Sequence, residues 1–296
     1  VSGLLEYHEH PELTDPVVVV ALDGWIDAGA SATGAMTSLL ANSDAKPIAT
    51  FDADRLLDHR ARRPIMHLVD GVITGLDWPA TELHAGVDSA GRDILLLTGA
   101  EPDFEWAAFT RSVMELIEDH EASMLVYLGA YPAPVPHTRA VGMSITTSST
   151  DMSDHLRGYV RGSLDVPAGI QTVLDMEATR MGIPAVGLWA QVPHYISSMP
   201  YPAASLALLE ALDDVAGLRI EAKDLAAEAA ETRDRLDSLV AENPEHQAMV
   251  QQLETLIDTA EPTEENVGPI NIGDIPSGDE LAEEFQRFLE ERPDED

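Results

Sequence analysis

The 296-residue chain contains no cysteine and only two lysines, Lys46 and Lys223, and aromatic residues fill 5% of its positions. Without cysteine it has no disulfides, no thiolate zinc site and no cysteine nucleophile. No run approaches the ~20 apolar residues that a membrane-spanning helix needs. Bases are scarce, 17 against 53 acids, and the formal net charge is −36. Nucleic acids and anionic membranes are bound through clustered Lys and Arg, so neither is an expected partner. The ten histidines show no His-x-x-x-His or His-Glu-x-x-His spacing, so neither a metal nor a cofactor is expected. Residues 24–34 hold neither a Walker loop nor Gly-x-Gly-x-x-Gly, and Gly-x-Ser-x-Gly is also missing. Val1 to Asp15 is polar and carries Glu6, Glu9 and Glu12. It is not read as a signal peptide, and a cytoplasmic location is expected.

The most informative stretch runs from Pro16 to Gly29. Val17 to Leu22 is an unbroken apolar run, the pattern of a strand covered on both faces. Asp23-Gly24 ends it with turn chemistry, and Ala28 to Leu40 then reads as a helix packed on a sheet. Further strand-like runs lie at 47–52, 94–98, 124–128 and 185–191. Helical patterns lie at Phe104–Glu118, Gly169–Met181 and Pro202–Val215, the last with Pro early and Gly217 just beyond its end. Alternating strands and helices imply a mostly parallel sheet with helices on both faces. Met66–Ile73 and Glu82–Val87 read as hairpin strands at one sheet edge.

Beyond Gly217 the pattern changes. Leu225, Ala229, Thr232, Leu236 and Leu239 step by 4, 3, 4 and 3, a short heptad seam. Asn243-Pro244 breaks it, and Met249, Leu253, Leu256 and Ala260 resume it. The expected organisation is an α/β core over 1–218, an α-helical hairpin over 219–260, and an acidic linker with a terminal helix over 261–296. That helix, Asp279–Glu291, carries Leu281, Phe285, Phe288 and Leu289 as a docking stripe. Residues 221–296 hold 23 acids and 5 bases, a net charge of −18, half of the chain's total.

Sites in such folds gather where strands end. The ligand-binding candidates are Asp23, Gly24, Trp25, Gly99, Glu101, Gly129, Arg139, His194 and Tyr195. Glycines at these ends either let a ligand approach or serve the turns themselves. Asp23, four residues before Asp27, is either half of a carboxylate pair or a cap for the following helix. Glu101 carries the same ambiguity. His137 and Arg139 lie in a loop stiffened by Pro132, Pro134 and Pro136, which holds Arg139 either toward an anion or toward a nearby carboxylate. Arg55, Arg60, Arg62 and Arg63 form a basic island that meets either an acidic patch on another copy or the local Asp52, Asp54 and Asp58.

Four ordered segments carry a family resemblance: Leu22–Gly29, Gly99–Pro102, Tyr127–Ala130 and Gly182–Tyr195, with Pro202-Ala203-Ala204-Ser205 after them. In that order, over about residues 5–220, they resemble the proteasome assembly chaperone 2 family in its actinobacterial branch. The resemblance implies a three-layer α/β/α sandwich similar to the phosphorylase/hydrolase-like fold, here with a C-terminal helical appendage. It further implies an oligomer, with a homotrimer favoured, and proteasome subunits as partners. It supplies no catalytic residues. The fold likeness raises a second reading, a nucleoside phosphorylase-like enzyme or small-ligand binder. Asp175-Met176-Glu177-Ala178 is similar to the Met-Glu pair that holds ribose in those enzymes, and the catalytic candidates are Glu177, Asp23 and His194. The acid that handles the base in that family has no counterpart at Gln191-Val192-Pro193-His194. The leading expectation is therefore an oligomeric factor that acts through protein contacts.

Overall fold

The alternation of apolar residues decides how the central strands sit. Val17, Val19 and Ala21 point into one buried cluster, and Val18, Val20 and Leu22 point into another. The strand that carries them, β2 (Val17–Asp23), is therefore sandwiched between two helical layers, as its unbroken apolar run requires. The protein is described by a computed structural model over residues 3–24, 26–156 and 165–259. Trp25 and the linker and terminal helix expected over 261–296 lie outside the described residues.

Strands β1 (Leu5–Tyr7), β2, β3 (Lys46–Phe51), β6 (Thr81–Val87), β7 (Asp93–Ala100), β8 (Met124–Ala133), β9 (Met143–Thr146) and β10 (Ala185–Pro193) form one eight-stranded sheet in the order β1-β3-β6-β7-β2-β8-β10-β9. Its centre, β7-β2-β8-β10, is parallel. The outer strands pair antiparallel. A separate two-stranded sheet is made by β4 (Ile65–Val69) and β5 (Val72–Asp77).

One face of the large sheet is covered by α1 (Ser31–Asn42) and α6 (Pro202–Ala216), which contribute Ala35, Leu39, Leu208 and Leu212. The other face is covered by α3 (Trp106–Asp119) and α5 (Ile170–Arg180), through Phe109, Val113, Ile170 and Leu174. Two short helices, α2 (Ala53–Leu56) and α4 (Thr150–His155), sit in connections. Pro202 stands in the first turn of α6, where its missing N–H costs nothing, and Gly217 closes the helix at φ 67°. Helix α7 (Lys223–Glu242) lies on α6, burying Leu225, Ala229 and Leu236, and α8 (Pro244–Thr259) turns back on it with Val250 and Leu253. The architecture is a three-layer α/β/α sandwich with C-terminal helices.

Several local expectations need correction. Met66–Ile73 is two strands, because Asp70 and Gly71 adopt positive φ, 50° and 79°, and fold the segment into a tight hairpin turn. Residues 82–87 lie inside the large sheet, between β3 and β7, rather than at its edge. The strands expected to stop at 98 and 128 run on to Ala100 and Ala133, because their neighbours continue the ladder past Gly99 and Gly129. In the helical hairpin Leu239 and Leu256, read as seam positions, are exposed, and Val250 takes the inward position.

Candidate functional site

The strand-end rim divides into two polar clusters. The first lies where β2 and β7 end. The amide of Glu101 donates to the carbonyl of Asp23 at 2.8 Å, which fixes the two ends side by side. The Arg62 guanidinium lies across them. Its Nη1 donates to the Asp23 carbonyl at 3.1 Å, and its Nε is 3.5 Å from Asp103 Oδ2. Gly24 is a glycine for a physical reason: it sits at φ 150°, and a Cβ there would run into the Arg62 guanidinium and Glu101. The Glu101 carboxylate is buried, and its Oε1 accepts the amide of Ile170 at 2.7 Å. It thereby satisfies an open donor at the start of α5 with negative charge at the positive helix end. Asp27 rather than Asp23 holds the start of α1. Its Oδ1 accepts the Ala32 amide at 2.7 Å, and its Oδ2 accepts the Thr33 amide at 2.9 Å and the Thr33 hydroxyl at 2.7 Å. Asp23 Oδ1 receives only a longer contact from Thr33, at 3.3 Å.

Gly99 lies inside β7 at φ 102°, and a Cβ there would overlap the Ala80 carbonyl. Gly129 lies inside β8 opposite Trp189, whose indole fills the place a Cβ would take. Both glycines serve close packing within the sheet.

The second cluster lies on the Pro-rich loop after β8. His137 is 3% exposed. Its amide donates to the Tyr195 hydroxyl at 2.9 Å, and its Nδ1 is 2.6 Å from that same oxygen. The arrangement is satisfied when the hydroxyl gives its proton to Nδ1 and Nε2–H donates to Asp237 Oδ1, 3.2 Å away on α7. Burial pushes the His137 pKa down, against the opposing pull of Asp237. Next to it, Arg139 grips Asp258 through two contacts, Nε–Oδ1 at 2.9 Å and Nη2–Oδ2 at 2.6 Å, and reaches Glu254 at 3.0 Å. Thr138 donates to Glu254 at 2.5 Å, and Arg233 on α7 reaches the Thr138 carbonyl at 3.3 Å. Of the two readings for this loop, the structure realises the carboxylate partner. A cleft of about 240 Å³ opens beside it, between the loop and α7, with Arg139, Arg233, Tyr201 and Leu236 in its wall. Burial raises the Tyr201 phenol to about 12.

Of the remaining candidates, Glu177 sits apart from both clusters, and His194 borders the second, its ring edge-on to Tyr195 with centroids 5.4 Å apart. His194 starts a single 3₁₀ turn and is exposed, while Tyr195 beside it turns inward to His137. Glu177 is ion-paired to Arg180 on its own helix at 2.5 Å, and Met176 before it is 62% exposed. The group with a buried environment in that segment is Asp175, 1% exposed. Its Oδ1 accepts the Ser148 amide at 2.7 Å, and burial raises its pKa. Sequence reading did not single out Asp175, Tyr127 or Trp189 as site residues. The latter two share the Thr146 hydroxyl, at 2.7 and 2.9 Å. For Asp175 the signal available in sequence was only a polar residue on a helix with an apolar face. Among the described residues no group of three or more His, Cys, Asp or Glu converges as a metal site. No helix among them is long and apolar enough to cross a membrane.

A family model described as the PAC2 family matches residues 21–240. Among solved structures, a protein of unknown function from Corynebacterium glutamicum is 31% identical with a TM-score of 0.81, covering 86% of this chain and 97% of its own. Mycobacterium tuberculosis Rv2714, also of unknown function, is 34% identical with a TM-score of 0.80, covering 86% and 89%. Mycobacterium tuberculosis Rv2125, described as a proteasome-assembly chaperone homologue, is 35% identical with a TM-score of 0.73, covering 79% and 99%. Comparison with curated proteins returned no match.

Proposed function

The chain belongs to the PAC2 family, and from that premise we propose that it is a cytoplasmic, self-associating factor that acts through protein contacts, in the assembly or handling of proteasome subunits. The description of Rv2125 as a proteasome-assembly chaperone homologue, at 35% identity, supports the partner class.

The observation that carries the reading is how the rim side chains are used. Arg62 and Glu101 hold the backbone of the strand ends and of α5, and Arg139 and His137 hold α7 and α8. These charged groups are bound to the protein's own frame and stiffen it, which suits a rigid platform for docking. A homotrimer is the proposed assembly. The C-terminal segment 261–296, with its acids and its Leu281, Phe285, Phe288 and Leu289 stripe, is proposed as a further contact element.

The test is reconstitution. Purified chain is mixed with separately purified proteasome α and β subunits of its own organism, and complexes are followed by native mass spectrometry while ring formation is followed by light scattering. A defined complex with a subunit or half-ring, together with a changed rate of ring formation, is expected. Neither complex nor rate change at ~10 μM, well above the affinity of a specific contact, overturns the proposal.

A further inference from the structure

The β4–β5 hairpin is paired along its length, from Ile65 and Asp77 to Val69 and Val72, yet it is bare. Its turn, Asp70-Gly71, has the two positive φ values that match the twist of the flanking strands. His67 and Asp77 close a cross-strand pair at 2.8 Å. Every residue of the two strands except Gly75 is exposed. Successive residues of a strand face opposite sides, so both faces of the hairpin are uncovered. Those faces are apolar: Ile65 is 64% exposed, Val72 63%, Ile73 62%, Val69 59% and Leu68 52%. An isolated two-stranded hairpin is marginal in water. An apolar surface of this kind, left open with free strand edges, is an aggregation hazard.

Two features indicate what covers it. The first is composition. Transient interfaces are about as polar as ordinary surface, whereas permanent ones resemble a core cut in half. The hairpin is of the second kind, and the one partner always present in matching amount is the chain itself. The second is charge. Residues 60–77, the hairpin and its root, carry three arginines and two aspartates, a net charge of +1, so the rest of the chain carries −37. Arg62 is turned inward to Asp103. Arg60 and Arg63 are exposed and make no ion pair among the described residues. Two copies repel over most of their surfaces, and the root of the hairpin is where the approach of an acidic copy is attractive.

We propose that β4–β5 is a self-association arm, its apolar faces buried against a second copy of this chain with Arg60 and Arg63 against that copy's acidic side chains. The inference rests on the protein-contact reading above and names the surface through which copies meet.

The absence of cysteine makes the test clean. A single cysteine is introduced as Ile73→Cys and labelled with a maleimide, with the molar mass measured by light scattering on the same sample. The expected result is an oligomer in which labelling is slowed at least about tenfold relative to the same protein in denaturant, the protection that a persistent contact confers. Adding Leu68→Glu and Val72→Lys yields a monomer that labels rapidly and melts lower for want of the association, while its circular dichroism spectrum stays near wild type, because the hairpin lies outside the large sheet. An oligomer whose introduced thiol labels freely overturns the arm but leaves the proteasome reading standing. A monomer, or a protected thiol in a monomer covered by its own chain, also overturns it. Loss of subunit binding in the reconstitution, with the arm intact, instead overturns the proposed function alone.

Discussion

Arg139, on the loop after β8, and Asp258, near the end of α8, meet as a planar fork on a carboxylate, Nε–Oδ1 at 2.9 Å and Nη2–Oδ2 at 2.6 Å. They are 119 residues apart in sequence, and the pair fastens the last described helix to the rim of the sheet. Replacing Arg139 with Lys removes the fork geometry while keeping the charge. Faster amide exchange over 244–259 and a lower melting temperature are expected. The Asp258 carboxyl is held below the usual carboxylate range, first by its hydrogen bond to Arg139. A depressed carboxyl stabilises the fold above its unfolded pKa and loses that contribution as pH falls through the folded one. The difference between wild type and Arg139→Lys should therefore shrink in acid.

His137 supplies a second pH dependence. Burial lowers its pKa in the folded protein, where it faces Tyr195, Asp237, Arg233 and Glu254. The unfolded chain then takes up the proton first, at an ordinary value of about 6.5. Stability should fall as pH drops below that value, down to the folded pKa, and then level off. Urea unfolding from pH 7.5 to 5 should show this loss in wild type and a flatter profile in His137→Gln.

Gly99→Ala tests the close approach of β7 to the segment before β6. A Cβ at φ 102° beside the Ala80 carbonyl is strained twice over, by backbone conformation and by overlap. A loss of at least ~2 kcal/mol in unfolding free energy is expected. Gly71→Ala, where nothing lies within 4 Å, should cost less, about 1 kcal/mol, the backbone contribution alone.

Asp27→Ala removes an acceptor that serves two amides and a hydroxyl at the start of α1. A loss of about 1 kcal/mol is expected, as for other helix caps. Asp23→Ala should cost less, since its side chain receives one long contact. Chemical denaturation of both variants ranks them, and the reverse order would refute the assignment of Asp27 as the holder of the helix.

Truncation after Glu221 should do more than remove acid. Leu225 and Leu236 of α7 belong to the core cluster beneath α6. Losing them uncovers apolar surface worth about 1.5–3 kcal/mol per leucine. A dye that binds exposed apolar surface should report the truncation.

Much of the scaffold was legible before any coordinates. The run Val17–Leu22 specifies a central strand, because its four valines, its short length and the Pro16 and Asp23-Gly24 that bound it separate it from a buried helix segment. Pro202 and Gly217 bound α6 through backbone chemistry that acts within one turn. The resemblance carried by Leu22–Gly29 and Gly182–Tyr195 agrees with the family match over 21–240. The absence of cysteine and the charge of −36 likewise exclude whole classes of chemistry without reference to shape.

Partners at long range belong to the tertiary structure. Arg62 reaches Asp23, Glu101 reaches the start of α5, and Arg139 reaches Asp258, across separations of 39, 69 and 119 residues. No local pattern encodes such pairings, because an arginine on a stiff loop is equally suited to a ligand anion or to a carboxylate of its own chain. The hairpin shows the same division. Asp70-Gly71 dictates the turn from neighbouring residues alone, but whether Ile65, Val72 and Ile73 face a core or the solvent depends on which elements the rest of the fold brings beside them.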